Sequence, residues 1–287
     1  MRVLAATDFS TRSNRAVRQA GLLAQPNRAQ LHVVHVVDDD QPEELVRMEK
    51  REAQQVLVEQ IYSMPELRGL NARPSVVTGD PFDGILKTAA EISADLIVMG
   101  THRKQLLLDI FIGTTIERVV RKGTFPVLMV NNEAQRKYEN VVVPVDMSYA
   151  SAKALRVAVS MGFISTNRAT LLHAFSALAE GRMSYVGSDQ ASIETYVASE
   201  RQHVMDELAA FLVENHFSPE NWSLLVEEGG AMEIISRAVS AKHADLLVMG
   251  THGRSGLLKA LIGSVTQEAL RSLNVDILAV PPFKERI

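Results

Sequence analysis

Short apolar runs alternate along this chain with longer segments in which apolar positions recur at helical spacing. Residues 2–7 form one such run, which predicts a buried strand, and Ala16, Val17, Ala20 and Leu23 then share one face of a predicted amphipathic helix. The same alternation predicts strands at 31–37, 73–78, 95–99 and 126–130, and helices at 43–62, from 80 onward and at 114–121. Asp80 is predicted to cap the second of these helices, with Pro81 at its first helical position. Strands that alternate with helices are typical of a parallel sheet with helices on both faces.

The second half of the chain repeats the first. Residues 95–102, DLIVMGTH, recur 150 positions later as DLLVMGTH, whereas residues 3–8 correspond to 141–146 at an offset of 138. The second copy therefore carries about 12 extra residues between these two motifs. We place them at 176–195, because the Gly, Ser and Asp residues there favour a loop or a lid.

A polar segment at 131–140 separates the two copies and has the composition of a linker. We therefore predict two domains, residues 1–135 and 136–287. Each is predicted to be a doubly wound, Rossmann-like α/β domain with a five-stranded, mainly parallel sheet and helices on both faces. We expect the first strand of each copy to lie beside its fourth, where such sheets bind ligands past the carboxyl ends of the strands.

A glycine motif follows the fourth strand of the second copy directly. It reads G-x2-G-x9-G-S, from Gly250 through Gly253 to Gly263 and Ser264. Gly250 and Gly253 are expected to take positive φ angles and to let the backbone approach a ligand closely. Gly263 and Ser264 are predicted to open the next helix. Its free N–H groups, with the hydroxyls of Ser264 and Thr266, would cradle a phosphate.

At this motif, and over nearly its whole length, the chain resembles the universal stress protein family in its tandem, two-domain form. The resemblance implies an adenine-nucleotide-binding protein of the stress response, with ATP, ADP or AMP as ligand and Mg²⁺ as an optional companion. It implies that Asp146 meets the adenosine end of the nucleotide and that Pro144, Val145 and Ala174 line the adenine pocket. Around ribose and phosphates it places Met249, Gly250, His252, Gly253, Arg254, Gly263, Ser264, Val265 and Thr266.

The first copy departs from this pattern. Gly100 is followed three positions later by Arg103 instead of glycine, and the motif ends at Gly113 and Thr114. A side chain forced to positive φ costs roughly 1–2 kcal/mol and would crowd the path of the phosphates. The first half, with Asp8 at the end of its first strand, is therefore expected to bind nucleotide weakly or not at all. The opposite stays open, because the Arg103 guanidinium could itself contact a phosphate.

Five other polar residues bear on the chemistry. Arg254 has two interpretations, a charge-assisted contact to phosphate or a solvated loop residue. His32 and His35 point to opposite faces of a strand, which argues against a metal site. Asp8 and Asp146 lack a paired carboxylate or a Ser–His partner, so they are expected to cap the helices that follow them. We assign no catalytic residue and no metal ligand.

The composition limits the classes of protein to consider. With 46% hydrophobic and 22% charged residues, the chain is typical of a folded globular protein. A net charge of −4 and 5% aromatic residues, without a basic stripe, argue against a nucleic-acid partner. No apolar run approaches the ~20 residues that span a bilayer. The absence of cysteine fits a reducing compartment, so we expect a cytoplasmic protein without a secretion signal or a membrane partner.

Three functions remain open. The leading one is an ATP-binding regulatory protein, in which nucleotide in the second domain changes stability or a partner surface. The second is a slow ATP hydrolase or nucleotidyl-transfer enzyme of the same superfamily, for which at most weak hydrolysis is expected because no general base is evident. The third is a nucleotide-free interaction scaffold with its partner site on 176–195. The resemblance also implies an internal pseudo-dimer, paired through strands 126–130 and 276–280, and a homodimer of whole chains.

Overall fold

A ten-stranded sheet runs through both halves of the chain in the computed structural model, which describes residues 1–26, 29–101, 114–134, 138–164, 168–177, 189–252 and 262–282. The first half supplies β1 Arg2–Ala6, β2 Gln30–Val37, β3 Ala72–Thr78, β4 Leu96–Gly100 and β5 Val127–Val130. The second supplies β6 Val141–Pro144, β7 Ala169–Phe175, β8 Ser223–Glu228, β9 Leu246–Gly250 and β10 Asp276–Val280. The strand order is β3-β2-β1-β4-β5-β10-β9-β6-β7-β8.

Helices cover both faces of this sheet. They are α1 Thr11–Ala24, α2 Glu43–Ser63, α3 Pro81–Glu91, α4 Thr115–Lys122, α5 Tyr149–Ser160, α6 Gln190–Glu214, α7 Ala231–Ala241 and α8 Ser264–Ser272. Helices α1, α2, α5 and α6 share one core layer, and α3, α4, α7 and α8 share the other. Alternate strand residues feed the two layers, with Val3 in the first and Leu4 in the second. The predicted pair of Rossmann-like halves is confirmed.

The first strand of each half lies beside the fourth, as predicted. Strand β1 pairs in parallel with β4, with Val3 opposite Leu96, and β6 pairs in parallel with β9, with Val141 opposite Leu246. Since β2 and β7 lie on the other sides of β1 and β6, the chain reverses its winding direction at these strands. The carboxyl ends of the paired strands therefore open a crevice in each half.

The two halves pair through their fifth strands across a pseudo-twofold axis. Strand β5 runs antiparallel to β10, with Leu128 opposite Leu278, and this confirms the predicted internal pairing. On α4 and α8, the Gln267 side-chain amide donates to the carboxylate of Glu117 at 3.3 Å. These two residues are equivalent at the 150-residue offset. Glu117 is only 1% exposed and also pairs with Arg121, so the axis joins two equivalent positions that carry different chemistry.

Segment 131–140, which the sequence predicts to be a linker, is tied to the second half by a buried carboxylate. Asp276, at the start of β10, is fully buried. Its oxygens accept hydrogen bonds from the backbone N–H groups of Asn131 (2.8 Å) and Asn132 (2.9 Å) and from the Tyr138 hydroxyl (2.8 Å). Burial raises the pKa of the Asp276 carboxyl above its ordinary value. The junction is therefore a packed element of the structure.

Two local predictions are wrong. Asp8 and Asp146 do not cap the helices that follow them, because Ser10 and Ser148 take that position and accept from the backbone N–H groups of Ser13 and Ser151. The segment 176–195 is not a loop throughout, since α6 begins at Gln190, where the Asp189 side chain accepts from the backbone of Ser192 and caps the helix. Residues 178–188 of that segment lie outside the described residues. None of the helices described above is both long and apolar enough to cross a membrane.

Candidate functional site

A cavity of about 290 Å³ lies at the carboxyl ends of β6, β7 and β9 and at the first turn of α8. The structure brings together around it eleven of the predicted ligand residues: Pro144, Val145, Asp146, Ala174, Met249, Gly250, His252, Gly263, Ser264, Val265 and Thr266. The other two, Gly253 and Arg254, lie outside the described residues. The crevice expected from the strand order is therefore present, and the predicted positions surround it.

Five further residues line this cavity that were not predicted to touch a ligand: Ser151, Leu172, His173, Ala231 and Ile235. They come from β7 and from the first turns of α5 and α7, away from the glycine motif in sequence. In the sequence, only their match to residues of the first copy could have indicated these positions. His173 matches His35, and Ala231 matches Pro81, which follows the predicted cap Asp80. Three of the five, Leu172, Ala231 and Ile235, are apolar. The cavity also has apolar walls from Val145, Ala174, Met249 and Val265.

Asp146 stands at the end of β6, where the backbone turns sharply away from the sheet. Its Oδ1 accepts from the backbone N–H (3.1 Å) and the hydroxyl (2.6 Å) of Ser148. The next residue, Met147, has a φ of 57°, a left-handed conformation that is uncommon for a side chain of this size. Phe9 repeats it after Asp8, with a φ of 61°. In both halves this turn fixes the aspartate at the mouth of the crevice.

A histidine in the neighbouring strand is held in one orientation in each half. The Nδ1 of His173 lies 2.6 Å from the Val145 carbonyl oxygen, and the Nδ1 of His35 lies 2.9 Å from that of Thr7. A carbonyl oxygen only accepts, so Nδ1 must carry the proton in both rings. These hydrogen bonds fasten the end of the first strand to the second, which agrees with the structural role expected for His35.

His252 lines the cavity two residues after the end of β9. Its Nδ1 lies 2.9 Å from the Thr251 hydroxyl, while its buried Nε2 has no hydrogen-bond partner among the residues that the structure describes. Burial lowers the pKa of His252 below its ordinary value, so the ring is neutral at pH 7. A neutral imidazole nitrogen at the cavity wall is suited to a hydrogen bond with a polar atom of a ligand.

The first turn of α8 faces the cavity without a side-chain cap. Gly263 is the N-cap residue and has no side chain to accept from the helix, although its own N–H donates to the Thr251 carbonyl at 2.8 Å. The Thr266 hydroxyl donates to the Gly250 carbonyl at 2.9 Å, which fixes the helix against β9. In the first half, Thr114 is the N-cap residue of α4, and its hydroxyl accepts from the Glu117 N–H at 3.3 Å. The two helix starts therefore differ in their free donors.

Gly250 serves packing instead of the unusual backbone conformation expected for it. Its φ is not positive, so that prediction is wrong. A Cβ at Gly250 would lie 3.0 Å from the backbone carbon and oxygen of Ala150, and one at Gly100 would lie 2.6 Å from the backbone of Arg12. Glycine is needed at both places because the first helix of each half, α5 or α1, crosses the strand end at this distance. This close approach keeps the start of α5 beside the cavity.

The first half has a smaller cavity, about 230 Å³, built from the equivalent positions. Of the first-half residues that match the glycine motif, Asp8, Gly100 and Thr114 line it, while Arg103 and Gly113 lie outside the described residues. Burial acts to raise the pKa of Asp8, but hydrogen bonds from Ser10 and Ser13 outweigh it and leave the pKa below its ordinary value. The carboxylate is therefore ionised at neutral pH.

The linings of the two cavities differ at several equivalent positions, and three of these differences bear on the available space and on the hydroxyl groups. Val36, Pro81 and Ile116 stand where the second half has Ala174, Ala231 and Thr266. Each adds bulk or removes a hydroxyl. In the described parts of the chain, no group of three or more His, Asp or Glu side chains is placed to hold a metal ion in either half.

Comparison with known proteins gives one consistent family. The sequence model of the universal stress protein family matches residues 1–131 and 137–281. A universal stress protein of Mycobacterium tuberculosis is 24% identical over 290 residues, which cover 96% of this chain and 95% of that protein. One from Methanocaldococcus jannaschii is 30% identical over 138 residues, which cover 45% of this chain and 81% of that protein.

Among solved structures, a universal stress protein from Archaeoglobus fulgidus superposes on this chain with a TM-score of 0.67. The two sequences are 16% identical, and the superposition covers 98% of each chain. At that identity the likeness concerns the fold. It extends through both halves, including the tandem arrangement.

Proposed function

We propose that this chain, which belongs to the universal stress protein family, binds an adenine nucleotide, ATP in the first instance, in the cavity of its second half. Nucleotide occupancy would then change the stability or the partner surface of the protein in a stress response. ADP and AMP are the alternative ligands, and Mg²⁺ would enter with the phosphates.

The observation that carries this proposal is the uncapped start of α8. Gly263 leaves the first-turn N–H groups without a side-chain acceptor, and these groups lie at the cavity together with the hydroxyl-bearing Ser264 and Thr266. A helix start attracts an anion by roughly 0.3–1 kcal/mol per charge, so useful affinity needs several donors that converge. His252 lines the same cavity and adds one more polar residue there.

The remaining walls fit the rest of a nucleotide. Leu172, Ala174, Ile235 and Met249 offer an apolar slot for a planar base, and Asp146 offers carboxylate oxygens that a ribose hydroxyl can reach as a donor. Pro144 and Val145 lie between these regions at the end of β6. The roles of Gly253 and Arg254 at the phosphates stay predictions from the resemblance.

Binding without efficient turnover is the form of this function that we favour. The Asp146 oxygen Oδ1 already accepts two hydrogen bonds from Ser148, so this carboxylate is not arranged as a general base beside a water position. A slow ATPase is the second candidate and a nucleotide-free scaffold is the third. From family membership we also propose a cytoplasmic location and a homodimer of whole chains, which light scattering across a concentration series tests.

The first half is proposed to bind nucleotide weakly or not at all. The Thr114 hydroxyl already accepts a hydrogen bond from the Glu117 N–H in the first turn of α4. Ile116, which stands at the position of Thr266, has no hydroxyl to offer a ligand. Val36 and Pro81 narrow the region where the second half has two alanines. One nucleotide per chain is therefore the expected stoichiometry.

The test is to denature freshly purified protein, identify and count the released nucleotide by mass spectrometry, and titrate ATP, ADP, AMP and GTP by calorimetry. Thr266→Ile and Ala174→Val introduce the equivalent first-half residues into the second-half cavity. Val36→Ala, at the first-half cavity, is the matched control. We expect about one adenine nucleotide per chain, lost in both second-half variants and retained in the control. Gly253→Arg, which writes Arg103 into the second copy, tests the glycine motif in the same way.

The other outcomes are equally informative. Two nucleotides per chain would contradict the weak first site. No bound nucleotide, together with no heat of ATP binding to a protein that melts cooperatively, would move the function to the scaffold. ATP hydrolysis that co-purifies with the protein and disappears with Thr266→Ile would favour the enzyme.

A further inference from the structure

A second kind of cavity lies at the outer edge of the first half, away from either nucleotide crevice. It has a volume of about 370 Å³ and lies between the end of α2, the turn at 65–71 and the start of the edge strand β3. This volume is within the range of small-molecule sites. Apolar side chains, among them Val58, Ile61, Leu67, Leu70 and Pro74, line it together with the polar residues Arg68 and Asn71.

The internal repeat shows what fills the same place in the second half. Ala72 lies opposite Leu31 in the sheet, and Ser223 lies opposite Thr170. Because Leu31 corresponds to the residue just before Thr170, Ala72 corresponds to the residue just before Ser223, which is Trp222. The 150-residue offset gives the same pairing. A methyl group in one half therefore stands where the other half has an indole.

That indole is part of the core of the second half. Trp222 is 8% exposed and packs edge-on against the ring of Phe217 at a centroid distance of 5.8 Å. In the first half, Leu67 of the preceding turn and Ala72 both line the cavity. The cavity thus has the place and the apolar surroundings of a planar aromatic ring that the first half does not itself provide.

The guanidinium of Arg68 at this cavity favours a ligand with a negative charge. Arg68 lines the cavity and is exposed, and it forms no ion pair within the described part of the chain. The turn before Trp222 in the second half, residues 215–221, contains neither lysine nor arginine, so the cation occurs only in the half that lacks the indole. A guanidinium binds a carboxylate in a bidentate manner, and the ring of Tyr62, which is 81% exposed, offers a further aromatic surface.

We propose that this cavity, defined by Ala72, Arg68 and the end of α2, binds a small aromatic carboxylate, with the ring in the space that Trp222 fills in the other half and the carboxylate on Arg68. The site is independent of the nucleotide cavity. Ligand binding there would order the turn at 65–71 against α2 and β3.

Indole-3-carboxylate is the probe, with uncharged indole beside it, measured by saturation-transfer NMR and calorimetry on the full chain with and without ATP. Ala72→Trp places the indole of the second half in the cavity, and Arg68→Ser removes the guanidinium from the cavity. Arg51→Ser is the matched control, because Arg51 is an exposed cation on α2 that forms no ion pair within the described part of the chain. We expect one site per chain, lost in Ala72→Trp, weakened about tenfold or more in Arg68→Ser, and unchanged in Arg51→Ser.

Three results would overturn the proposal. The first is no saturable binding of the acid at millimolar concentration. The second is unchanged binding by an Ala72→Trp protein that melts as the wild type does. The third is an equal loss in Arg68→Ser and Arg51→Ser. Should Ala72→Trp fail to fold, Ala72→Leu removes part of the volume and must still weaken binding. Displacement of the probe by ATP would assign it to the nucleotide cavity and would likewise refute the proposal.

Discussion

The buried carboxylate at the junction of the two halves gives the sharpest prediction. Asp276 accepts three hydrogen bonds, from the N–H groups of Asn131 and Asn132 and from the hydroxyl of Tyr138, and it is fully buried. Asp276→Ala removes all three acceptors at once. Asp276→Asn keeps Oδ1 for the two N–H groups and can donate from Nδ2 to the Tyr138 oxygen. The pair of variants therefore separates hydrogen bonding from charge.

The magnitude follows from the groups left unsatisfied. A buried polar group without a partner costs about 1–3 kcal/mol. The alanine variant leaves three such groups, although water at the half-buried asparagines and the removal of a buried charge offset part of the loss. We expect Asp276→Ala to lower the free energy of unfolding by about 2–4 kcal/mol and Asp276→Asn to change it by less than about 1 kcal/mol at pH 7.

The pH dependence has a definite sign. Burial raises the pKa of Asp276, and the nearby Asp245 carboxylate adds to this, so the folded state holds the proton more tightly than the unfolded chain. The contribution of Asp276 to stability therefore falls as pH rises from the ordinary aspartate value through the raised folded value. Asparagine does not titrate. The stability of Asp276→Asn relative to wild type should thus increase over that window and then level off.

Urea unfolding followed by circular dichroism, at a series of pH values between 4 and 8, measures both effects. Tyr138→Phe is a useful companion because it removes one donor and leaves the charge in place. Equal stability of the alanine and asparagine variants at pH 7 would refute the role of the hydrogen bonds. A constant gap between Asp276→Asn and wild type across the series would refute the titration of a raised carboxyl.

Four other substitutions have expected outcomes that thermal or urea unfolding can check. Gln267→Glu places a second carboxylate against Glu117 at the pseudo-twofold axis, and should cost about 1–3 kcal/mol, more at pH 8 than at pH 5; a loss that does not depend on pH would contradict this. Gly250→Ala sets a methyl group 3.0 Å from the backbone of α5 and should cost about 1–3 kcal/mol, with a larger loss for Gly100→Ala at 2.6 Å, and the reverse order would argue against the packing role. Trp222→Ala opens a cavity in the second half and should cost about 3–5 kcal/mol; a loss below 1 kcal/mol would show that the indole is not a core group.

The elements that the sequence predicts well are those set by local periodicity. The strand at 95–99 and the helix start at Asp80 and Pro81 are such cases, because a continuous apolar run and a cap followed by proline depend on a few neighbouring residues. The internal repeat made the same predictions possible for the second half, because each element of the first copy has a counterpart there. Most of the predicted ligand positions surround one cavity for the same reason: they lie at strand ends whose neighbours the topology fixes.

Contacts between distant segments could not be read in this way. The reason for glycine at position 250 is the backbone of α5, which lies about 100 residues earlier in the chain. The cap at Asp189 turns the end of a Gly- and Ser-rich segment into helix, because a side-chain acceptor at the right place outweighs composition. Asp276 reads as an ordinary polar start to a strand, and only the fold brings Asn131 and Tyr138 to it.

Strands β5 and β10 pair within one chain, and this affects which substitutions the contact between the two halves can accept. When two identical subunits meet on a twofold axis, every substitution occurs twice, and a residue near the axis must be compatible with a copy of itself. Here the covalent link keeps the partners at a high effective concentration at any protein concentration, and each side can vary alone. Glu117 opposite Gln267 is such a pair, because two glutamates would repel and one glutamate with an amide does not. The tandem arrangement thus allows the two crevices to diverge without loss of the pairing between them.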